Sequence, residues 1–313
     1  VYGQLQPAYL KAGQNDKVFP ITEKLLAADP TDVEMAHGAL KAAEAKKDAE
    51  AIVKWSAATI DAAKKAEASK QPEDEDEVPL WKHRVDFAKQ VQKYAEYSLY
   101  AASLQETDPA KKLLLMDTLS QRHPQSEYLP KLTEQYFVTY RQQGNTEKAV
   151  ALAEKEAAGG TANEDMLLVA TDHYFAKKDY DKVLTYSAKC VEVMKPKGPP
   201  QGVSAEDWEK KKNGTLGVAL WMAGMSHAAR SNFSQTDTVL REALPYLAGN
   251  DTLLSHATFQ LGLANHKMGE KGDAGRIQAA YNYFRQCSGI KGPNQGAAAR
   301  NAKVLATQYR GLK

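Results

Sequence analysis

The chain is 313 residues long, room for two domains at about 150 residues each. Its 41 basic and 39 acidic residues nearly cancel to a formal +2, so no one-signed field draws it to nucleic acid or to a membrane surface. A composition of 43% hydrophobic and 26% charged residues excludes wholesale disorder, and two cysteines exclude a disulfide framework and a four-thiolate zinc site. No apolar run approaches the roughly 18 residues of a membrane-spanning helix.

Taken in chain order, apolar positions recur at i, i+3, i+4 and i+7 and break into helix–turn–helix units. The first unit, about 1–32, carries Tyr9, Gly13, Val18, Thr22, Leu25 and Pro30, a spacing that puts Val1 already inside a helix. The second, 33–70, has Ala51, Trp55 and Ala58 on its second helix and a shorter turn. Residues 71–79 (QPEDEDEVP) read as a solvated acidic loop, with an acidic docking segment for a basic partner as the alternative. The third unit, 80–126, pairs a long helix over about 80–106 with DPAKKLLLMDTLSQRHP, where Leu113, Met116 and Leu119 share a face.

The clearest pair follows. The unit 127–163 contains EQYFVTYRQQGNTEKAVALAEKEA, and the unit 164–197 contains TDHYFAKKDYDKVLTYSAKCVEVMKP; Tyr140 and Tyr174 lie thirty-four positions apart. Residues 195–207, rich in Pro and Gly, predict an extended connector, with Ser204 and Asp207 capping the helix that holds Trp208. The unit 208–250 contains LWMAGMSHAARSNF. The unit 253–290 contains FQLGLANHKMG, then an insertion over about 270–277 before its second helix resumes. Gly224 and Gly262 stand where paired helices cross. A solitary capping helix over 294–312 closes the chain, with Val304, Leu305 and Tyr309 as its apolar positions. No stretch alternates in the manner of a strand, so the sequence predicts an all-α protein.

These residues and this period resemble the tetratricopeptide (TPR) repeat family. The resemblance implies a right-handed α-solenoid of about seven TPR-like helix hairpins plus a C-terminal capping helix, with the loop inserts 71–79 and 195–207 outside it. It also implies a concave groove, lined by the first helices, that holds a peptide or helix of a partner protein. Carried onto this sequence, the groove positions are Glu134, Val138 and Arg141; Leu168, Asp172 and Phe175; Trp221 and Met225; Phe259 and Leu263. Relatives that grip a carboxylate use Lys, Asn and Arg there. The acids and apolar groups found here suit an amphipathic helix or a hydrophobic peptide instead. Trp221, Met225 and Phe259 also admit a purely structural reading, as packing between neighbouring first helices. A second likeness, Pro124, Ser126 and Tyr128 in RHPQSEYLPKL, is to the P-x-S-x-Y junctions of bacterial envelope repeat proteins.

A search for chemistry finds little. GMSHA (224–228) comes within one residue of a nucleophile elbow, but it lies inside a helical stretch and not on a strand-to-helix turn. None of the seven histidines pairs with another at i+3 or i+4, and neither an HExxH nor a phosphate-loop motif is present. The cation run Lys210, Lys211 and Lys212 is interleaved with Glu206, Asp207 and Glu209, unlike a nucleic-acid stripe. Cys190 and Cys287 fall at small-residue positions two repeats apart, beyond disulfide reach, and are expected to be free.

The sequence therefore predicts a single solenoid over 1–313 that acts as a non-enzymatic protein-interaction scaffold. No cofactor, metal or nucleic acid is expected, no transmembrane segment, and a monomeric or weakly dimeric state. The alternatives are a self-associating structural component of a bacterial envelope assembly and a small-ligand binder using the Asp172–His173 region. The envelope-type junction, and a chain opening on Val1 without methionine, favour export to the periplasm over the cytoplasm.

Overall fold

The computed structural model describes residues 2–270, 272–309 and 312, so the placement of Val1 in a helix lies outside the described residues. Among these residues there are fifteen α-helices, one 3-10 turn and no strand. The chain divides into two compact units, Val1–Thr146 and Glu147–Lys313. The division falls at the first residues of α8, inside the expected repeat 127–163.

The first unit holds α1 (Tyr2–Lys11), α2 (Asn15–Ala28), α3 (Val33–Lys46), α4 (Ala49–Ala68), α5 (Val78–Gln105), α6 (Pro109–Arg122) and α7 (Leu129–Gln142). Each helix packs on the next, and α1 also packs on α3, α3 on α5 and α4 on α6. This neighbour-and-next-neighbour pattern is that of helical-repeat proteins, where a hairpin buries its apolar face only against the following one. One cluster joins Val18, Leu40, Ile52, Trp55, Leu99, Leu115, Met116, Leu119 and Leu132, all fully or nearly buried. A second, almost all alanine and valine, joins Val33, Ala36, Ala62, Ala63, Ala66, Ala88 and Val91, which lets α3, α4 and α5 approach closely.

The second unit holds α8 (Thr146–Gly159), α9 (Glu164–Ala176), α10 (Tyr180–Met194), α11 (Ala205–Ala229), α12 (Phe233–Ala243), the 3-10 turn Leu244–Leu247, α13 (Asp251–Gly269), α14 (Ala274–Ser288) and α15 (Gln295–Gln308). Here α9 packs on α11 and α11 on α13, besides the sequential pairs from α9 to α15. Gly262 explains one close crossing: a Cβ there would lie 2.6 Å from the Phe284 ring of α14. Gly224 meets Leu240 of α12 in the same manner.

One turn recurs in both units. Gly13, Lys47, Gly144, Lys178 and Ser231 each adopt a left-handed backbone, with φ of 67°, 53°, 69°, 60° and 56°. After each, the next N–H reaches back five residues: Gln14 to Tyr9, Asp48 to Ala43, Asn145 to Tyr140, Asp179 to Tyr174 and Asn232 to His227. These paired bonds satisfy carbonyls that a helix end leaves orphaned. Asp48, Asp179 and Asn232 then cap the following helix by accepting from Ala51, Lys182 and Gln235 N–H, so one residue ends one helix and begins the next. Thirty-four residues separate Gly13 from Lys47, and thirty-four separate Gly144 from Lys178.

Several expectations need correction. The insertion over 270–277 is shorter than predicted, because Asp273 caps α14 by accepting from Arg276 N–H at 3.1 Å, and Ile277 is already a buried helical residue. The acidic loop ends two residues early: Val78 and Pro79 belong to α5, since proline is tolerated where a first-turn N–H has no partner. Val304 and Tyr309 do not face the core of the last helix. They are 51% and 36% exposed, while Ala298, Ala302 and Leu305 are buried. The α15 helix itself ends at Gln308, short of the expected 312.

Candidate binding surfaces

The predicted groove positions fall on four helices in two groups. On α7, in the first unit, Glu134, Val138 and Arg141 are spaced i, i+4 and i+7 and are all exposed. The Arg141 guanidinium lies 5.9 Å from the centre of the Phe137 ring, which holds it along its own helix.

In the second unit, Leu168 and Phe175 of α9, Trp221 and Met225 of α11, and Phe259 and Leu263 of α13 are all half-buried, and Asp172 is exposed. Phe175 meets Trp221 at a ring separation of 5.4 Å, and Trp221 stacks on His256 at 6.0 Å with an interplanar angle of 22°. Three rings thus run across α9, α11 and α13. The indole Nε1 of Trp221 is buried without a hydrogen-bond partner. Phe259 and Leu263 lie one and two turns further along α13, where they pack on Phe284, Cys287 and the buried face of α15.

Sequence reasoning missed His256. It sits one turn before Phe259, and the spacing of the apolar positions gave it no weight. The Asp172–His173 pair does not converge on a site: Asp172 faces solvent, and His173 Nε2 lies 3.9 Å from Glu147 Oε2. Ser226 of the GMSHA stretch is fully buried inside α11 and donates to the Met222 carbonyl at 2.8 Å. Cys190 and Cys287 are free and buried; burial, aided by Glu164 and Asp165, pushes the Cys190 thiol up to about 12. Among the described residues no group of three or more His, Cys, Asp or Glu is placed to hold a metal ion, and no helix is long and apolar enough to cross a membrane.

Two of the cavities away from the predicted positions are of a size to matter. One of about 390 Å³ runs between α10 and α12 over α11, with Val191, Leu220 and Val239 in its apolar wall and Glu192 and Glu242 beside them. The larger, of about 490 Å³, belongs to the first unit and lies among α3, α4, α5 and α6. Its floor is Ala49, Ile52, Ala102 and Leu115; its polar lining is Glu44, Lys47, Ser98, Gln105 and Glu106, with Tyr94 and Tyr97 as aromatic walls. Tyr94 Oη donates to Glu44 Oε2 at 2.7 Å, and burial together with that carboxylate raises the phenol well above its ordinary range. No single stretch of sequence announces this cavity, because its lining comes from four helices spread over 44–115. No protein-family model matches the chain, and no curated protein is detectably similar to it in sequence.

Proposed function

We propose that the chain is a TPR-like scaffold that acts by binding and not by catalysis, holding an apolar peptide or an amphipathic helix against the first helices of its hairpins. The observation that carries this reading is the row of half-buried apolar side chains on α9, α11 and α13: Leu168, Phe175, Trp221, Met225, Phe259 and Leu263. Fully packed core residues give a partner nothing further to cover, whereas half-buried aromatics on rigid helices are the kind of anchor that dominates protein interfaces. The thirty-four-residue spacing of the left-handed turns supports the repeat class. Asp172, beside the row, would set the polarity of the bound segment.

The test is capture from source-cell extract with the intact chain and with Trp221→Ala/Phe259→Ala as parallel baits. Each truncation uncovers a half-buried position, so circular dichroism must first show both baits folded. A partner retained by the first bait and lost by the second is the expected result. The same partner on both baits would overturn the placement.

A second reading, self-association in an envelope assembly, is favoured by the exposed Val304 on α15 and Tyr309 just past its end. Sedimentation of the intact chain against Val304→Glu separates the two, because only self-association gives a concentration-dependent mass that the substitution removes. Export to the bacterial envelope belongs to the proposal through the Pro124, Ser126 and Tyr128 junction. Fractionation of source cells tests it.

A further inference from the structure

We propose that the cavity among α3, α4, α5 and α6 is a binding site for a small organic monocation: an ammonium group carried on an apolar or aromatic body. The volume of about 490 Å³ lies within the usual range for small-molecule sites, which are apolar concavities with a few convergent polar groups. The apolar body has its place on Ala49, Ile52 and Leu115, three side chains that are 3%, 4% and 1% exposed.

The charge follows from the lining. Two carboxylates, Glu44 and Glu106, stand against one ammonium, Lys47. One oxygen of each is engaged internally: Glu44 Oε2 by the Tyr94 hydroxyl, and Glu106 Oε1 by the N–H groups of Thr107 and Asp108 at 2.8 and 2.9 Å. The second oxygen of each remains for a ligand. The C-terminal ends of α3 and α5 also converge here and add negative potential. The positive N-terminus of α4 is already answered by Asp48, whose Oδ1 accepts from Ala51 N–H. Lys47 is exposed at the rim and opposes a second positive charge, which favours a monocation over a polyamine.

Two further features point to an occupant. Tyr97 is a wall of the cavity and yet 49% exposed, which leaves ring surface on which a cation can lie. Ser98, another lining residue, is 3% exposed and its hydroxyl is buried without a partner, where buried hydroxyls are ordinarily bonded. Every lining residue belongs to the first unit, so this site stands or falls independently of the surface on α9, α11 and α13.

Calorimetric titration of the intact chain with phenethylammonium, 2-phenylethanol, phenylacetate and spermidine tests the assignment. Phenethylammonium is expected to bind at least about tenfold tighter than the uncharged alcohol, about 1.4 kcal/mol, with phenylacetate silent and spermidine weaker. Glu44→Gln keeps an acceptor for the Tyr94 hydroxyl and should lose about tenfold in affinity. Tyr97→Ala truncates a half-exposed ring, so the fold survives, and should lose a comparable factor. Absence of heat with phenethylammonium, equal binding of all three aromatic probes, or unchanged affinity in Tyr97→Ala would overturn the proposal. Should Glu44→Gln fail to fold by circular dichroism, Tyr97→Ala alone decides.

Discussion

Lys47, Lys178 and Ser231 hold the left-handed backbone that glycine holds at residues 13 and 144. For a residue with a Cβ this conformation costs about 1–2 kcal/mol, and each hairpin turn at these sites carries that cost. Lys178→Gly should therefore raise stability, by about 1 kcal/mol after glycine's greater unfolded-state entropy is deducted, read as a higher urea midpoint at unchanged slope. Gly144→Ala should shift the midpoint the other way, for backbone reasons alone, because nothing lies within 4 Å of where its Cβ would stand. The glycine turns were legible in the sequence. The lysine and serine ones were not, because the turn is imposed by the pair of helices it joins and leaves no composition signal. A second consequence at this scale concerns acid. His37 is wedged edge-on between Phe87 and Tyr94 with Nδ1 unpartnered, and burial, then Lys41, lower its pKa against a weaker opposing pull from Glu44. His123 and His227 are lowered by burial as well. A depressed folded value means that the unfolded chain binds protons first. The stability contributed by the neutral rings is thus complete above about pH 6.5 and is lost as pH falls below it. His37→Phe should flatten part of that decline in denaturation curves taken from pH 7.5 to 5.

The elements of the second unit are tied by two buried carboxylates that sequence reading passed over. Asp237 of α12 is 2% exposed and accepts from Arg241 Nη2 at 2.6 Å, Arg276 Nη1 at 2.8 Å and Asn265 Nδ2 at 2.7 Å, so α12, α13 and α14 meet on one charge. Asp237→Ala takes one acceptor from the buried Asn265 amide and leaves two half-exposed guanidiniums to water, and should cost about 1–3 kcal/mol in urea unfolding. Glu164 does the same for α9, α11 and the connector: it is 3% exposed and lies 2.6 Å from Lys197 Nζ and 3.0 Å from Lys211 Nζ. Lys211, read from the sequence as one of a cation run interleaved with acids, is a structural partner. The periodic apolar positions made the helices and most of their boundaries legible, as Ser204 Oγ accepting from Asp207 N–H illustrates. The carboxylates were not legible, since an acid facing inward has the same sequence signature as one facing out.

At the scale of the whole molecule, each unit has its own clusters of buried residues, and among the described residues the main helix contacts within each are between neighbours and next neighbours. Stability in such an arrangement is a sum of local interfaces, so a lesion in one hairpin loosens its neighbours and leaves distant ones intact. The helical-repeat character was readable because that locality repeats the same demands from one hairpin to the next. The cavity in the first unit was not, since helices α4 and α5, at 20 and 28 residues, outgrow the period there. The connector over 195–204 has a consequence of another kind. Its prolines, glycines and lysines mark it as the first place a protease would cut. Yet Lys197 Nζ is bound to Glu164, and its carbonyl accepts from Trp208 Nε1 and Lys212 Nζ. A protease must draw an extended segment into its cleft, which here means first pulling a lysine off a buried acid. The segment richest in breakers is thereby clamped against digestion, and the exposed carboxylates of residues 73–77 are left as the chain's open flank.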